Sequence, residues 1–317
     1  MRQTFRIPRK ELQFYADFFG PKEVLAFLMR LGQRSFVMAK TTAVTGEHPR
    51  QIMHRTRGLH EGPITRLMSP SDLGQRLKPF VFLDLFDTEG ASLSGFGLHP
   101  HSGIATLTYL LEGSVRYEDT TGATGVLPQG GVEWFKAGHG AWHGGGAGES
   151  GRSRGFQLWM ALPPEHELGP AESVYQAPQD IRQVGPASVL LGKLGAVSSS
   201  LPAPSTLNYL AVRLKAGESW HYQPPPDHLV CWLAIGMGRL AVPDPVQAGE
   251  LAAFEQSNEA IDIRAETDTE FVLGSAANHP HELVLGSYSV HTSEASLQAG
   301  ERRIAEIKAQ LLRQGRL

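Results

Sequence analysis

The chain of 317 residues is longer than one hydrophobic core usually supports, so its length predicts two domains. Hydrophobic residues make up 41% of the sequence and charged residues 19%, which is typical of a globular protein and excludes a largely disordered one. The formal net charge is −3 and no long basic run occurs, so direct nucleic-acid binding is not expected. The 35 glycines and 21 prolines favour many short strands joined by turns.

The single cysteine, Cys231, excludes an intramolecular disulfide and a thiolate metal cage. It lies in the apolar run 229–235, where we expect a buried, unreactive thiol. The beginning of the chain lacks the apolar segment of a secretory signal, and no stretch has the length and apolarity of a membrane span. We therefore expect a cytoplasmic protein that does not contact a membrane.

Residues 1–53 are predicted to form an N-terminal extension, distinct from the strand-rich remainder. Apolar residues recur at helical spacing over 21–31, behind a proline suited to a first helical turn. This segment is predicted to be a short amphipathic helix. It could pack on the rest of the protein or on a partner chain.

Two series of short strands follow, at residues 54–178 and 179–317. The first contains apolar or alternating runs at 80–86, 106–111, 114–118, 132–135 and 155–162, and the second contains runs at 188–191, 207–214, 229–235 and 271–273. Short strands at this spacing, with glycine turns between them, predict an all-β protein built of sandwiches or closed barrels. The tail predicts a C-terminal helix with Ser293 as its N-cap.

The histidines of the first series form the pattern that points to chemistry. His99 and His101 flank Pro100, and in a strand such i and i+2 residues face the same side. His143 follows some forty residues later, behind the strand at 132–135. Three imidazoles from neighbouring strands suit Fe, Cu, Zn or Ni and leave coordination positions open for water or substrate.

Other residues offer alternatives for the same chemistry. His139 is a candidate additional ligand, or a residue at the rim of the site, and Glu149 is a distant candidate carboxylate beyond a glycine-rich turn. A second His-Pro-His pattern, His279 and His281, is interpreted as structural, because no partner histidine occurs on a preceding strand. Trp134 is predicted to lie in the core, and Trp142 to face outward or into a layer between domains.

Residues 95–162 closely resemble the pirin family, whose members are bicupins of the cupin superfamily. The resemblance is carried by five segments that agree in order and in spacing, and looser agreement runs from about residue 57 to the C-terminal helix. The five segments are FGLHPHSGIAT (96–106), TYLLEG (108–113), GVLPQGGVEW (125–134), AGHGAWH (137–143) and FQLWMALP (156–163). The resemblance implies two consecutive double-stranded β-helix barrels, the first with a metal site and the second metal-free.

The resemblance also implies one Fe(II)-type site of three histidines and one glutamate in the first barrel, with Zn, Cu, Ni or Mn as alternative metals. The matching histidines are His99, His101 and His143. The glutamate position two residues after the last histidine holds Gly145, and another acidic position of the general cupin pattern holds Ala105. Three neutral ligands leave the full +2 charge of a divalent metal at the site and favour anionic substrates.

Two functions follow from the resemblance. One is a metal-dependent dioxygenase similar to quercetin 2,3-dioxygenases, acting on flavonol-type or related small molecules. The other is a non-enzymatic, metal-responsive regulatory protein that binds a protein partner. An open apolar cavity beside the metal would favour the enzyme.

Overall fold

The computed structural model describes residues 50–89, 97–148 and 151–317, and strands dominate it, which confirms the all-β prediction. The predicted helix at 21–31 and the candidate Glu149 lie outside the described residues. No helix in the described ranges has the length and apolarity needed to cross a membrane.

The first barrel consists of a seven-stranded and a four-stranded antiparallel sheet. The seven-stranded sheet has the order β12-β9-β6-β11-β4-β3-β2, and the four-stranded sheet the order β5-β10-β7-β8. The bounds in chain order are β2 (Leu59–Glu61), β3 (Ile64–Met68), β4 (Phe80–Glu89), β5 (His99–His101), β6 (Ile104–Glu112), β7 (Ser114–Asp119), β8 (Thr124–Pro128), β9 (Val132–Lys136), β10 (Ala141–Ala147), β11 (Arg152–Ala161) and β12 (Glu172–Gln176).

The second barrel repeats this arrangement with a seven-stranded sheet, β1-β22-β19-β24-β17-β14-β13, and a four-stranded sheet, β18-β23-β20-β21. Its strands are β1 (Ile52–Thr56), β13 (Gln183–Val184), β14 (Ala187–Leu191), β17 (Leu207–Leu214), β18 (Ser219–Tyr222), β19 (Val230–Met237), β20 (Arg239–Val242), β21 (Asp244–Gln247), β22 (Leu251–Phe254), β23 (Ile261–Ala265) and β24 (Thr269–Ala276). Two small hairpins complete the strands: β15 (Lys193–Leu194) with β16 (Val197–Ser198), and β25 (Val284–Gly286) with β26 (Ser289–His291). Two short 3-10 helices span Leu73–Gln75 and Pro178–Asp180.

The first strand of the described chain, β1, belongs to the second barrel, although it precedes the first barrel in sequence. Strand β1 pairs antiparallel with β22, with Thr56 opposite Leu251. The predicted domain boundary at residue 54 therefore cuts through a strand whose hydrogen bonds belong to the second barrel. Sequence periodicity does not show which sheet a strand joins. The limits 54–178 and 179–317 stay predictions, and the pairing of β1 adds residues 52–56 to the sheet of the second barrel.

The two seven-stranded sheets share one apolar core. Trp134 and Phe156 of the first barrel belong to the same buried cluster as Tyr209 and Trp232 of the second. The rings of Phe80 and Trp232 meet edge to face with centroids 5.3 Å apart. Trp134 is therefore a core residue, as predicted, and the two barrels are joined through their larger sheets.

The interiors of the two barrels differ in chemistry. A continuous apolar cluster fills the second barrel, and it includes Cys231, Ile235 and Phe271. Burial raises the pKa of the Cys231 thiol to about 11, which fits the predicted unreactive cysteine. In the first barrel the two sheets instead present polar and titratable side chains to each other, and the candidate site lies among them.

The C-terminal helix, α1 (Glu294–Arg313), packs back onto the first barrel. Ser293 caps it by accepting a hydrogen bond from the backbone N–H of Ser296, as the sequence predicts. Trp142 packs against Ile307 and Leu311 of α1, and its indole N–H donates to the carbonyl of Ile304 at 3.2 Å. Trp142 thus faces a layer between the barrel and the helix, and this layer lies behind the strand that carries His143.

Adjacent leucines of α1 provide a test of this packing. Leu311 is buried and Leu312 is 54% exposed. We expect Leu311→Ala to lower the free energy of unfolding by about 2–5 kcal/mol because it removes buried apolar contacts. Leu312→Ala should change it by no more than about 0.5 kcal/mol. Urea denaturation of both variants measures the difference, and equal losses would show that the helix is not docked as described.

Candidate metal centre

Strand pairing brings the three predicted histidines together. His99 and His101 both project from β5, and the antiparallel partner β10 places His143 opposite His99 and Ala141 opposite His101. The ring centroids of the three histidines are 4.6–5.0 Å apart, and one ligand nitrogen from each lies within 4.8 Å of the others. The imidazoles therefore converge at one point on the inner face of the four-stranded sheet.

Hydrogen bonds fix which nitrogen of each ring is free. The Nδ1 atom of His99 lies 2.8 Å from the carbonyl oxygen of Gly97, and that of His101 lies 2.9 Å from the carbonyl oxygen of Tyr288. The Nδ1 atom of His143 lies 2.9 Å from Oε1 of Glu133. Because these partners are acceptors, each Nδ1 carries a proton, and each Nε2 has a lone pair available for a metal when its ring is neutral.

The free nitrogens are those that a metal would use. Nε2 of His101 and Nε2 of His143 are buried, and neither has a hydrogen-bond partner among the described residues. A buried polar atom without a partner is costly, and such atoms in native proteins generally have a function. Neutral imidazoles with the proton on the outer nitrogen are also the usual form of metal-ligating histidine. The three residues thus fit one divalent ion.

Burial keeps two of the rings neutral. It lowers the pKa of His99 to about 3, an effect that the neighbouring His143 reinforces. It also holds the pKa of His101 well below its ordinary value, with further contributions from His99 and His143. Since only a neutral imidazole binds a metal, these two ligands remain competent in mildly acidic solution.

A polar row crosses the inner face of the seven-stranded sheet opposite the histidines. Its members are direct register partners on successive strands: Arg66, Asp84, Gln157, Thr108, Glu133 and Tyr175. Arg66 donates twice to Asp84, at 2.7 and 2.9 Å, and Thr108 donates to Glu133 at 2.7 Å. The row reaches the candidate site at Glu133, which accepts a hydrogen bond from the Nδ1–H group of His143.

Glu133 is buried and ionised. Burial alone would raise the pKa of its carboxyl, but attraction to His143 in its protonated form and the hydrogen bonds from His143 and Thr108 hold that pKa below its ordinary value. The Tyr175 hydroxyl lies 3.4 Å from Oε1 of Glu133 and donates to Asp119 at 2.9 Å. A negative charge therefore stands one hydrogen bond behind one of the candidate ligands.

A segment from the end of the chain also supports the site. Tyr288 lies between β25 and β26 with a φ of 59°, the one non-glycine residue with a positive φ in the described part of the chain. Its carbonyl accepts the hydrogen bond from His101. Beside it, Ser102 donates to Ser289 at 2.9 Å and lies 2.9 Å from Nε2 of His291. The C-terminal hairpin thus orients a ligand that lies 187 residues earlier in the chain.

A cavity of about 800 Å³, a figure that includes space open to solvent, borders the histidines. His99 and His143 lie in its wall, together with Gly144 and Gly145. Much of the remaining wall is apolar or aromatic: Ile64, Phe82, Phe86, Val115, Leu127 and Trp159. The rings of Phe82 and Trp159 are stacked with centroids 4.0 Å apart. The candidate metal position therefore borders a largely apolar cavity that opens to solvent.

The other candidates of the sequence do not join this cluster. His139 is exposed in the turn between β9 and β10 and lies outside the cluster of three histidines, so its role as an additional ligand or rim residue stays a prediction. The rings of His279 and His281 are 5.4 Å apart, and they too lie outside the cluster of His99, His101 and His143.

The two empty acidic positions face different surroundings. Gly145 lies on the cavity wall, two residues beyond His143 on the same strand. Ala105 instead packs in the core shared by the two large sheets, so its side chain points away from the histidines. An acid at position 145 would therefore reach the site, whereas an acid at position 105 would not.

Sequence reasoning missed Glu133, although a signal was present. Strand β9 reads Val-Glu-Trp-Phe-Lys, and its first four residues are buried. A carboxylate between two apolar residues in a strand covered on both faces needs a specific partner. The partner, His143, is only ten residues away in sequence, but the chain reverses through a turn before the two side chains meet.

Comparisons with known proteins agree with this architecture. Residues 63–160 match the family model described as Pirin. A protein of Pseudomonas aeruginosa named "Putative quercetin 2,3-dioxygenase PA3240" is 33% identical over 247 residues, which cover 71% of this chain and 85% of the relative. A pirin-like protein of Caulobacter vibrioides is 31% identical over 250 residues, covering 74% of this chain and 89% of that protein.

The solved structures include a match over most of the chain. The crystal structure of a quercetin 2,3-dioxygenase from Acinetobacter baumannii superposes with a TM-score of 0.75 at 22% identity, covering 82% of this chain and 98% of that one. At this identity the likeness shows the fold, and it confirms the predicted pair of cupin barrels.

The depressed pKa of His99 predicts how stability depends on pH. The unfolded chain takes up a proton at this residue near pH 6.5, whereas the folded chain does so only near pH 3. The stability that comes from keeping this ring neutral is therefore complete above pH 6.5 and is lost as the pH falls towards 3. We expect the free energy of unfolding of metal-free protein to decline over this range, and to decline less in His99→Gln. Urea titrations at several pH values measure both slopes, and identical slopes would contradict the assignment.

Glycine at position 145 is predicted to be required by close strand contact. A Cβ there would lie 2.9 Å from the carbonyl oxygen of Arg116 and 3.0 Å from a methyl group of Val115. The next glycine, Gly146, has its nearest such neighbour at 3.7 Å. Gly145→Ala should therefore destabilise the protein by about 1–3 kcal/mol through overpacking. Gly146→Ala is the matched control and should be tolerated, so equal effects in thermal denaturation would refute the steric argument.

Proposed function

Because the chain belongs to the pirin family, we propose that it is a metal-dependent dioxygenase for flavonol-type or related small molecules. Its active centre consists of His99, His101 and His143. The observation that carries the proposal is the largely apolar cavity whose wall includes His99 and His143. The name of the Pseudomonas relative, which is 33% identical, supports the same reaction class.

The walls of the cavity suit a planar aromatic ligand. Phe82 and Trp159 are stacked on each other with an interplanar angle of 10°, the Arg66 guanidinium lies 4.2 Å from the Phe82 ring centroid, and both rings contribute to the aromatic wall beside the histidines. Aromatic rings pack favourably on such surfaces and exclude water from the reacting atoms.

We infer that the substrate binds as an anion, because both carboxylates of the cavity wall are engaged. Asp84 is held in a bidentate pair with Arg66, and Glu133 accepts hydrogen bonds from His143 and Thr108. Neither is free to take a proton from a substrate hydroxyl. A phenolate or enolate oxygen would be drawn to a site whose coordinating ligands are all neutral.

A divalent metal, Fe(II) or another ion that imidazole binds, would supply Lewis acidity and a template for substrate and dioxygen. The chain's own contribution is to hold three neutral imidazoles in place, through Gly97, Tyr288 and Glu133. Gly145 leaves the neighbouring wall position without a side chain.

Anaerobic reconstitution with Fe(II), followed by oxygen-electrode measurements with a panel of flavonols, tests the proposal. We expect oxygen uptake that depends on metal and substrate and falls at least about 100-fold in His101→Ala, since removal of one of three ligands should abolish metal retention. His139→Ala is the matched control, and it should keep wild-type activity because His139 lies outside the cluster.

Stoichiometric metal binding without oxygen uptake on any substrate would contradict the dioxygenase. That result would favour the regulatory function, in which the metal-loaded protein binds a protein partner. Failure to bind any divalent metal would overturn both functions.

A further inference from the structure

The three candidate ligands differ in the group that accepts the hydrogen bond from Nδ1. His99 and His101 donate their Nδ1 protons to the backbone carbonyls of Gly97 and Tyr288, which are neutral acceptors. His143 donates to Oε1 of Glu133, which is a carboxylate. A charged acceptor makes a stronger hydrogen bond than a neutral one, and it increases the basicity of the opposite ring nitrogen.

Glu133 is a buried charge that lacks a permanent cation. It is 8% exposed, and Oε2 accepts a hydrogen bond from the neutral hydroxyl of Thr108. Among the described residues its ion-pair partner is His143, and an imidazole carries positive charge only when it is protonated or bound to a metal. By contrast, Asp84, in the same polar row, is paired with a guanidinium.

A buried carboxylate is costly unless a positive charge compensates it. A divalent ion on Nε2 of His143 would provide that charge, one imidazole ring away from the carboxylate. The same arrangement accounts for an acid-free coordination shell, because the negative charge is present without occupying a coordination position.

We propose that Glu133 is the positioning residue that supplies the metal centre's negative charge from behind His143, in place of a directly coordinating glutamate at position 145. Glu133 fixes the tautomer of His143 and reduces the net charge of the loaded site from +2 to +1. This inference rests on the metal-binding part of the proposed function and not on the oxygen chemistry.

Isothermal titration with Ni²⁺ tests the proposal in wild-type protein, Glu133→Gln and Glu172→Gln. The first substitution keeps a hydrogen-bond acceptor for His143 and removes the charge. Glu172 is the matched control, since it lies on the neighbouring strand β12 and forms a half-exposed ion pair with Lys136. We expect Glu133→Gln to bind Ni²⁺ about 10–100-fold more weakly, which corresponds to about 1.4–2.8 kcal/mol. Glu172→Gln should bind within about twofold of wild type, as expected for an exposed pair.

A comparison of ion charges separates an electrostatic role from a structural one. If Glu133 acts through its charge, its loss should weaken binding of divalent Ni²⁺ by a larger factor than binding of monovalent Cu⁺, measured anaerobically. Displacement of His143 would weaken both ions by similar factors, and that result would overturn the proposal. Should Glu133→Gln not fold, Glu133→Asp keeps the charge: retained Ni²⁺ binding supports the proposal, and a loss as large as in His143→Ala overturns it.

The outcomes distinguish this inference from the proposed function. Wild-type protein that fails to bind Ni²⁺ would remove the metal centre itself, and with it both conclusions. Equal Ni²⁺ affinity in wild type and Glu133→Gln would overturn the role of Glu133 alone and leave the three-histidine centre intact.

Discussion

The convergence of three imidazoles on one point inside the first barrel is the constraint on which the rest of this structure depends. Neutral rings keep their lone pairs inside the barrel only if each outer nitrogen has an acceptor. The chain provides these acceptors from three separate places: Gly97 beside the ligand strand, Glu133 across the barrel and Tyr288 near the C-terminus. The first barrel, its polar row and the C-terminal hairpin thus all help to orient the three histidine rings.

This constraint explains why the two barrels have diverged inside. The second barrel repeats the sheet arrangement, but its interior is closed by apolar residues such as Ile235 and Phe271. It contributes to the first barrel through the shared core around Trp232 and through the chain that follows it. The helix α1 covers Trp142, and the hairpin before it presents the Tyr288 carbonyl to His101. The half without the candidate site therefore stabilises the half that has it.

Much of this arrangement could be predicted from the sequence, because local rules govern it. Alternation and turn residues predicted strands β4, β6, β7, β9, β11 and β17, and the i, i+2 spacing predicted that His99 and His101 share a face. The capping residue Ser293 marked the start of α1. The resemblance to pirins then selected these histidines from several candidates.

What could not be predicted depends on contacts between distant segments. The pairing of β1 with β22 and the bond from His101 to Tyr288 join residues about 190 positions apart, which no local pattern reports. The position of His139 depends on the turn before β10, where Gly138 adopts a positive φ and redirects the chain. Glu133 escaped notice because its partner becomes apparent only when β9 and β10 face each other.

The presence of Gly145 at the position where the family has a glutamate does not imply loss of function. At this wall position no side chain is available to coordinate a metal. The buried charge of Glu133 nevertheless remains within one hydrogen bond of a ligand, His143. With Glu133 ionised, a site of this kind has the same overall charge balance as one with a coordinated glutamate. We interpret the departure from the family pattern as a relocation of the negative charge rather than as the decay of a metal centre.

Anomalous diffraction from crystals of the full chain soaked with Ni²⁺ tests the central claim most directly. The account predicts one strong peak about 2.0–2.2 Å from the Nε2 atoms of His99, His101 and His143. A peak bound through Nδ1, a peak at exposed His139 alone, or no peak between the three rings would contradict it.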